Sequence, residues 1–293
     1  MNSISAQTYI EHVKRLALGI ELIDSVRQRQ PVSPVRVDVE YGLPHEPKLP
    51  KDRFCFARSS RMRPEVLCRH FSGRYALLYH PSLRDHINLR IYSPWLNNLP
   101  IRRHYLPRRL RVPLLTLEDI ITIEETEQPG YLEGRSRYPV LFPGVGYHLI
   151  GGATGLRGRV LRDGSPMRWA CIEARLPAND RLVGRTRGNE RGEFLLLLDS
   201  AAAPASDLDA TIDVRVEIAG PSELPVPADE QLPKLDPLWD APIETLPSAD
   251  QTDDVATGER LPAGYAFSVS ARRVIPFQVG RILSGAAVGD FVF

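Results

Sequence analysis

GRVLRDGSPMRWACIEARLP, residues 158–177, decides the fold. Apolar and polar residues alternate up to Arg162, break at Asp163-Gly164-Ser165-Pro166, and alternate again to Pro177. Asp-Gly is the dipeptide that tolerates positive φ in a tight hairpin connection, and Pro166 presets φ just after it. The stretch therefore reads as two antiparallel strands. Trp169, Cys171 and, after a shift, Leu176 are expected on one face.

The rest of the chain uses the same language. VRVDVEY (35–41) and HINLRIY (86–92) alternate with period two, and EFLLLL (193–198), ATIDVRVEI (210–218) and YAFSVSARRV (265–274) are rich in strand formers. With 26 prolines and 21 glycines, turn residues are frequent enough to separate many short strands. One short helix is expected over residues 5–15, with Ile10 and Val13 on its apolar face. TLEDIITIEE (116–125) reads as a further strand. The fold class is all-β. A length of 293 residues corresponds to about two domains, and an apolar content of 43% suffices for a core in each.

A repeat supports two units. LGIELIDSVRQRQPVSPVRVDVE (18–40), followed after an insertion by FSGRYALLY (71–79), parallels LRGRVLRDGSPMRWACIEARLP (156–177) followed by ERGEFLLLL (190–198). In each copy a strand ends near an aspartate (Asp24, Asp163), a proline marks the turn (Pro31, Pro166), and a Gly-x-aromatic step (Gly73 to Tyr75, Gly192 to Phe194) opens an apolar run. Over residues 154–200 the second copy resembles the carboxypeptidase regulatory-like domain, a small transthyretin-like β-sandwich. The positions that carry the resemblance are Gly158, Asp163, Gly164, Pro166, Thr186, Gly192 and Phe194. The first copy, residues 17–80, lacks the Asp-Gly turn and resembles the family less closely.

The resemblance implies two tandem β-sandwich (immunoglobulin/transthyretin-like) domains without catalytic residues of their own. The expected division is an N-terminal segment (1–15), a first sandwich with a basic insertion (16–115), a connector (116–149) and a second sandwich (150–220). An acidic, proline-rich segment (221–262) and C-terminal strands (263–293) complete it. Gly158, Asp163, Gly164, Pro166, Gly192 and Phe194 are expected to determine the second unit's fold.

Motifs that would carry chemistry are few. No G-x-S-x-G, H-E-x-x-H, Walker loop or paired C-x-x-C occurs. The glycine-rich run 144–158 is not followed by a helical pattern that would make it a phosphate cradle. The seven histidines and three cysteines include Cys55, Cys68 and His70, whose spacing fits no common zinc finger. No catalytic residue, cofactor or metal is expected.

Charge is the strongest feature beyond folding. Residues 51–111 hold fourteen Arg or Lys against three acids, and residues 199–262 hold fifteen acids against three basic residues. The two blocks nearly cancel, leaving a net charge of +1. Either they pair within the chain, or they join one subunit to another self or heterologous subunit. Nucleic acid is the less favoured partner, since the total charge is near zero and no nucleic-acid module is recognised. Candidate contact residues are Arg102, Arg103, Arg108, Arg109 and Trp95 in the basic block, with Asp250, Asp253 and Asp254 in the acidic one.

No run approaches 18 apolar residues, and the first residues lack a basic stretch, apolar core and cleavage site, so cytoplasmic synthesis without membrane partners is expected. The function expected is that of a structural or interaction protein, a subunit or accessory of a larger assembly compatible with a phage-tail-like contractile particle. The alternative is a carbohydrate- or peptide-binding module using Trp95, Tyr92 and Trp239 as exposed aromatics.

Overall fold

The Asp163-Gly164 turn forms as its residues demand. Both sit at positive φ, +50° and +75°, and the strands on either side pair Arg162 with Ser165 and Leu161 with Pro166. The computed structural model describes residues 15–40, 67–79, 83, 85–93, 95–96, 99–100, 104–126, 135–149, 151–199, 210–227, 230, 232–247 and 260–293. All of the helix expected over 5–15 except Arg15 lies outside the described residues, as do Arg102, Arg103, Asp250, Asp253 and Asp254.

In chain order the strands are β1 (Leu16–Ile20), β2 (Ile23–Asp24), β3 (Arg36–Val39), β4 (Cys68–Arg69), β5 (Tyr75–Leu78), β6 (His86–Tyr92), β7 (Trp95–Leu96), β8 (Leu99–Pro100), β9 (Arg108–Pro113), β10 (Ser136–Arg137), β11 (Val140–Leu141), β12 (Gly155–Arg162), β13 (Ser165–Pro166), β14 (Cys171–Arg175), β15 (Leu182–Arg187), β16 (Glu193–Leu197), β17 (Thr211–Pro221), β18 (Ile243–Thr245), β19 (Tyr265–Phe267), β20 (Arg273–Gln278), β21 (Ile282–Leu283) and β22 (Asp290–Val292). The protein is all-β.

The N-terminal strands build two sheets around one core. One sheet runs β10-β1-β5-β4 and the other β18-β9-β6-β3. Leu18, Ile20 and Leu77 of the first meet Leu89, Ile91, Leu110 and Val112 of the second. Residues 135–141 add β10 and β11, parallel to β1 and β2. Strand β18, more than a hundred residues downstream, adds to the edge of the second sheet in parallel with β9.

The C-terminal strands form two further sheets with a second core. Strands β13, β12 and β16, joined by β21 and β22, face β15-β14-β17 with β19 and β20. Leu156, Val160, Phe194 and Leu196 on one side interlock with Ile172, Val214, Val216, Ile218 and Phe277 on the other.

Strand β16 serves both cores. Phe194 and Leu196 point into the second core, whereas Leu195 belongs to the first and Leu197 packs against it. A strand buried on both faces needs apolar residues at successive positions, which accounts for the unbroken run EFLLLL.

Two expectations fail locally. TLEDIITIEE is not a strand: Leu117–Glu125 is the helix α1. Thr116 caps it, since its Oγ1 accepts the Asp119 N–H at 3.1 Å while Asp119 Oδ2 accepts the Thr116 N–H at 3.1 Å. Ile120 faces inward from it, fully buried. The β-branched residues favour a strand, but a reciprocal cap with carboxylates in the first turn outweighs them. The second failure is the facing of β14. Ile172 and Ala174 enter the core, and Cys171 turns away from it. Trp169, at a left-handed φ of +59°, breaks the alternation just before the strand.

Gly158 lies opposite Phe194 in the β12–β16 pairing. A Cβ there would stand 2.1 Å from the Gly289 carbonyl oxygen and 2.6 Å from the Phe194 ring. Gly158→Ala is therefore expected to destabilise the protein by about 1–3 kcal/mol, as other overpacked core sites do. Thermal unfolding of the full chain checks it, and an unchanged melting temperature would contradict the close approach.

Candidate interaction cleft

The acidic segment supplies the groups that organise the site, by folding back onto the basic strands. Glu244 of β18 is fully buried between two guanidinium groups. Arg108 Nη2 of β9 donates to Oε2 at 2.5 Å, and Arg187 Nη1 of β15 donates to Oε1. Arg108 Nη1 also donates to the Val140 carbonyl at 2.7 Å, and both guanidinium groups lie over the Phe142 ring. One carboxylate thus ties the N-terminal strands to the C-terminal ones.

A second cluster lies on the outer face of the β6–β9 pair. Glu40 accepts from Arg90 Nη2 at 3.0 Å and from Arg109 Nη2 at 2.5 Å, and Asp236 accepts from Arg90 Nη1 at 2.6 Å. Arg109 Nη1 gathers the carbonyls of Trp239 and Ala241 at 3.1 and 2.9 Å. Burial works against ionisation of Glu40, yet the hydrogen bonds and charges of Arg90 and Arg109 outweigh it and hold the carboxyl below its ordinary range.

These contacts fix residues 236–244 so that they wall a cleft of about 600 Å³. Its other walls are Pro166, Arg168 and Trp169 after the hairpin turn, Pro221 to Pro225 at and after the end of β17, and Ala263 to Tyr265 at the start of β19. Trp169, buried against Tyr92, Leu238 and Ala241, donates its Nε1–H to Asp240 Oδ1 at 2.9 Å. Arg168 reaches the same oxygen at 2.7 Å. Burial pushes the Asp240 carboxyl up, against the pull of Arg168 and Trp169. The left-handed backbone of Trp169 costs about 1–3 kcal/mol and persists because this packing and hydrogen bond over-determine it.

The lining is aromatic and proline-rich with few charges. Burial drives the Tyr265 hydroxyl well above its usual range, so it stays protonated as a donor. Glu223, exposed on the rim, has no ion-pair partner among the described residues. Beside it Leu224 is 55% exposed and Val226 83% exposed. Trp and Tyr in a concave, largely apolar site combine contact area with a few orienting polar groups, which suits it to hold a partner's side chains.

The outward face of the β14–β17 pair carries another charged group. Glu173 and Glu217 stand directly opposite one another. Arg175 holds Glu173 at 2.8 Å, and Arg272 and Arg215 hold Glu217 at 2.6 and 3.0 Å. Like carboxylates across a ladder are thus separated by guanidinium groups.

Of the expected contact residues, Arg108 and Arg109 are buried and committed to Glu244 and Glu40. Trp95 lies in β7, whose backbone pairs with β8. Tyr92 and Trp239, expected as exposed aromatics, are instead 7% and 5% exposed, because the returning 236–241 segment covers one and carries the other inward. The sequence reading missed Trp169, Tyr265 and Leu224 as cleft residues. The usable signal was Pro-Leu-Trp-Asp-Ala-Pro (237–242), a large aromatic set between prolines in an otherwise polar segment.

No family model, curated protein or solved structure matches the chain.

The Glu40 cluster sets a pH dependence. Its folded pKa lies below the unfolded value near 4.5, so its stabilisation is complete above that value and is lost as pH falls through the folded pKa. Glu40→Gln is expected to lower stability at pH 7 by about 3–5 kcal/mol, the cost of breaking a buried pair. It should also lose less on acidification to pH 3 than the wild type does. Melting curves at the two pH values decide, and equal acid losses in both proteins would contradict the assignment.

Proposed function

We propose that the protein is a non-enzymatic interaction protein, a subunit or accessory of a larger assembly, and that the Trp169–Trp239 cleft holds its protein partner. The observation that carries the reading is the construction of the cleft. Buried ion pairs from strands far apart in sequence position an aromatic and proline lining, and Trp169 is held in a strained backbone to complete it. Trp, Tyr and Arg are the residue types that dominate binding energy at protein interfaces.

The two charge blocks support assembly less than the cleft does. Asp236 and Glu244 are engaged by Arg90 and Arg108 of the basic block in the same chain, as the internal-pairing alternative requires. A protein or peptide ligand is favoured over a carbohydrate, since the exposed side chains at the rim, Glu223 and Leu224, are an acid and an aliphatic group and not rings on which a sugar stacks. Within this reading we keep the second unit as a carboxypeptidase regulatory-like β-sandwich, paired in tandem with a first. A phage-tail-like contractile particle is the proposed setting, by analogy of fold class.

A photo-crosslinking residue at Leu224 of the full chain, produced in its own cell, is expected to give a discrete protein adduct. The same label at exposed Val292 should not. No adduct at Leu224, or the same adducts at both positions, would contradict the reading.

A further inference from the structure

The most exposed large apolar side chain among the described residues is Phe71, at 96%. It sits at the tip of the β4–β5 hairpin, where the His70 N–H donates to the Arg74 carbonyl at 2.8 Å and Gly73 turns the chain at φ +81°. The imidazole of His70 lies 3.9 Å from the Phe71 ring, centroid to centroid, and its Nδ1 is 2.8 Å from Ser72 Oγ. The tip is therefore shaped from within, by its own contacts. Its charge is positive: Arg69 has no ion-pair partner among the described residues, and Arg74, paired with Glu21, keeps 61% of its side chain exposed.

An aromatic knob with a basic collar is the complement of the cleft, which is aromatic and proline-lined with the exposed Glu223 on its rim. We propose that the cleft of one copy receives the Phe71 hairpin tip of a second copy, with Arg69 of the knob facing Glu223 of the rim. The proposal rests on the reading of the cleft as a protein-binding site and names its occupant. Phe71 offers about 150–250 Å² for burial, and exposed Leu224 closes over it from the rim.

The proposed contact is heterologous: knob and cleft are different surfaces, and no two-fold axis returns the second copy's knob to the first copy's cleft. Each copy that fills a neighbour's cleft leaves its own cleft open, and the association propagates as a ring or an open stack. A hairpin tip in one cleft is smaller than the roughly 1,200–2,000 Å² of a stable standard interface, so the contact is weak in isolation and accumulates where copies are held together.

Sedimentation velocity of the full chain from about 5 to about 500 µM tests the proposal, and the expected result is a mass that rises with concentration. Phe71→Asp and Leu224→Asp alter exposed positions and should keep the wild-type melting temperature while each weakening association at least about 10-fold. Mixed together, the two variants should form a 1:1 dimer that grows no further, because one retains only a cleft and the other only a knob. Arg69→Glu should weaken association, and adding Glu223→Arg should restore it. A wild-type chain that stays monomeric throughout, variants that associate as the wild type does, or a mixture that stays monomeric would each overturn the proposal. If Leu224 nevertheless crosslinks to a different protein, the cleft is a protein-binding site with another occupant; if it crosslinks to nothing, both readings fall together.

Discussion

The carboxylate of Glu244, held between Arg108 and Arg187, is the contact on which the arrangement of the chain depends. Glu244 lies in β18 and its two partners in β9 and β15, and the two arginines belong to different pairs of sheets. Taking three charges out of water costs several kcal/mol for each, and the mutual attraction repays it only with good geometry. The contact is therefore better understood as specifying where β18 docks than as a large net source of stability. Once β18 lies in parallel beside β9, residues 236–241 are drawn over Arg90 and Arg109, and the cleft wall is in place.

That dependence explains why the acidic segment reads so poorly as structure. Between Pro221 and Pro262 its eight prolines break every periodic pattern, and among the described residues the segment contributes only short elements such as β18. Polar contacts hold it, together with the burial of Leu238, Ala241 and Leu246. Asp236, Asp240 and Glu244 reach arginines that lie far away in the chain or across the sheets, and Arg109 collects carbonyls that no ladder satisfies. The many arginines have a physical use here, since a planar guanidinium serves two or three acceptors at once and stacks on a ring such as Phe142.

How much of this was legible depends on how local each determinant is. The Asp163-Gly164 turn and the period-two strands rest on neighbouring residues and could be read directly. The apolar run of β16 marked a strand, although its service to two cores follows only from tertiary packing. Helix α1 carries its signal in the Thr116–Asp119 cap, while its β-branched residues favour a strand and mask that signal. The facing of Cys171 depended on one backbone inversion at Trp169, which no propensity signals for a bulky residue. Opposite charge blocks were visible, but the choice of partner for each carboxylate is a long-range property that composition does not encode. The cleft was hidden for the same reason, since its walls come from four separated stretches.

Calorimetry of the full chain and of Glu244→Leu, Arg108→Met and the double variant measures that coupling most directly. If the carboxylate joins the two sheet systems, the wild type unfolds in one transition and Glu244→Leu splits or broadens it. The double variant then recovers part of the loss, because no uncompensated charge remains buried at the Arg108 side. A single sharp transition in every protein, with strictly additive losses, would show that the sheets are held together without Glu244 and would contradict the account.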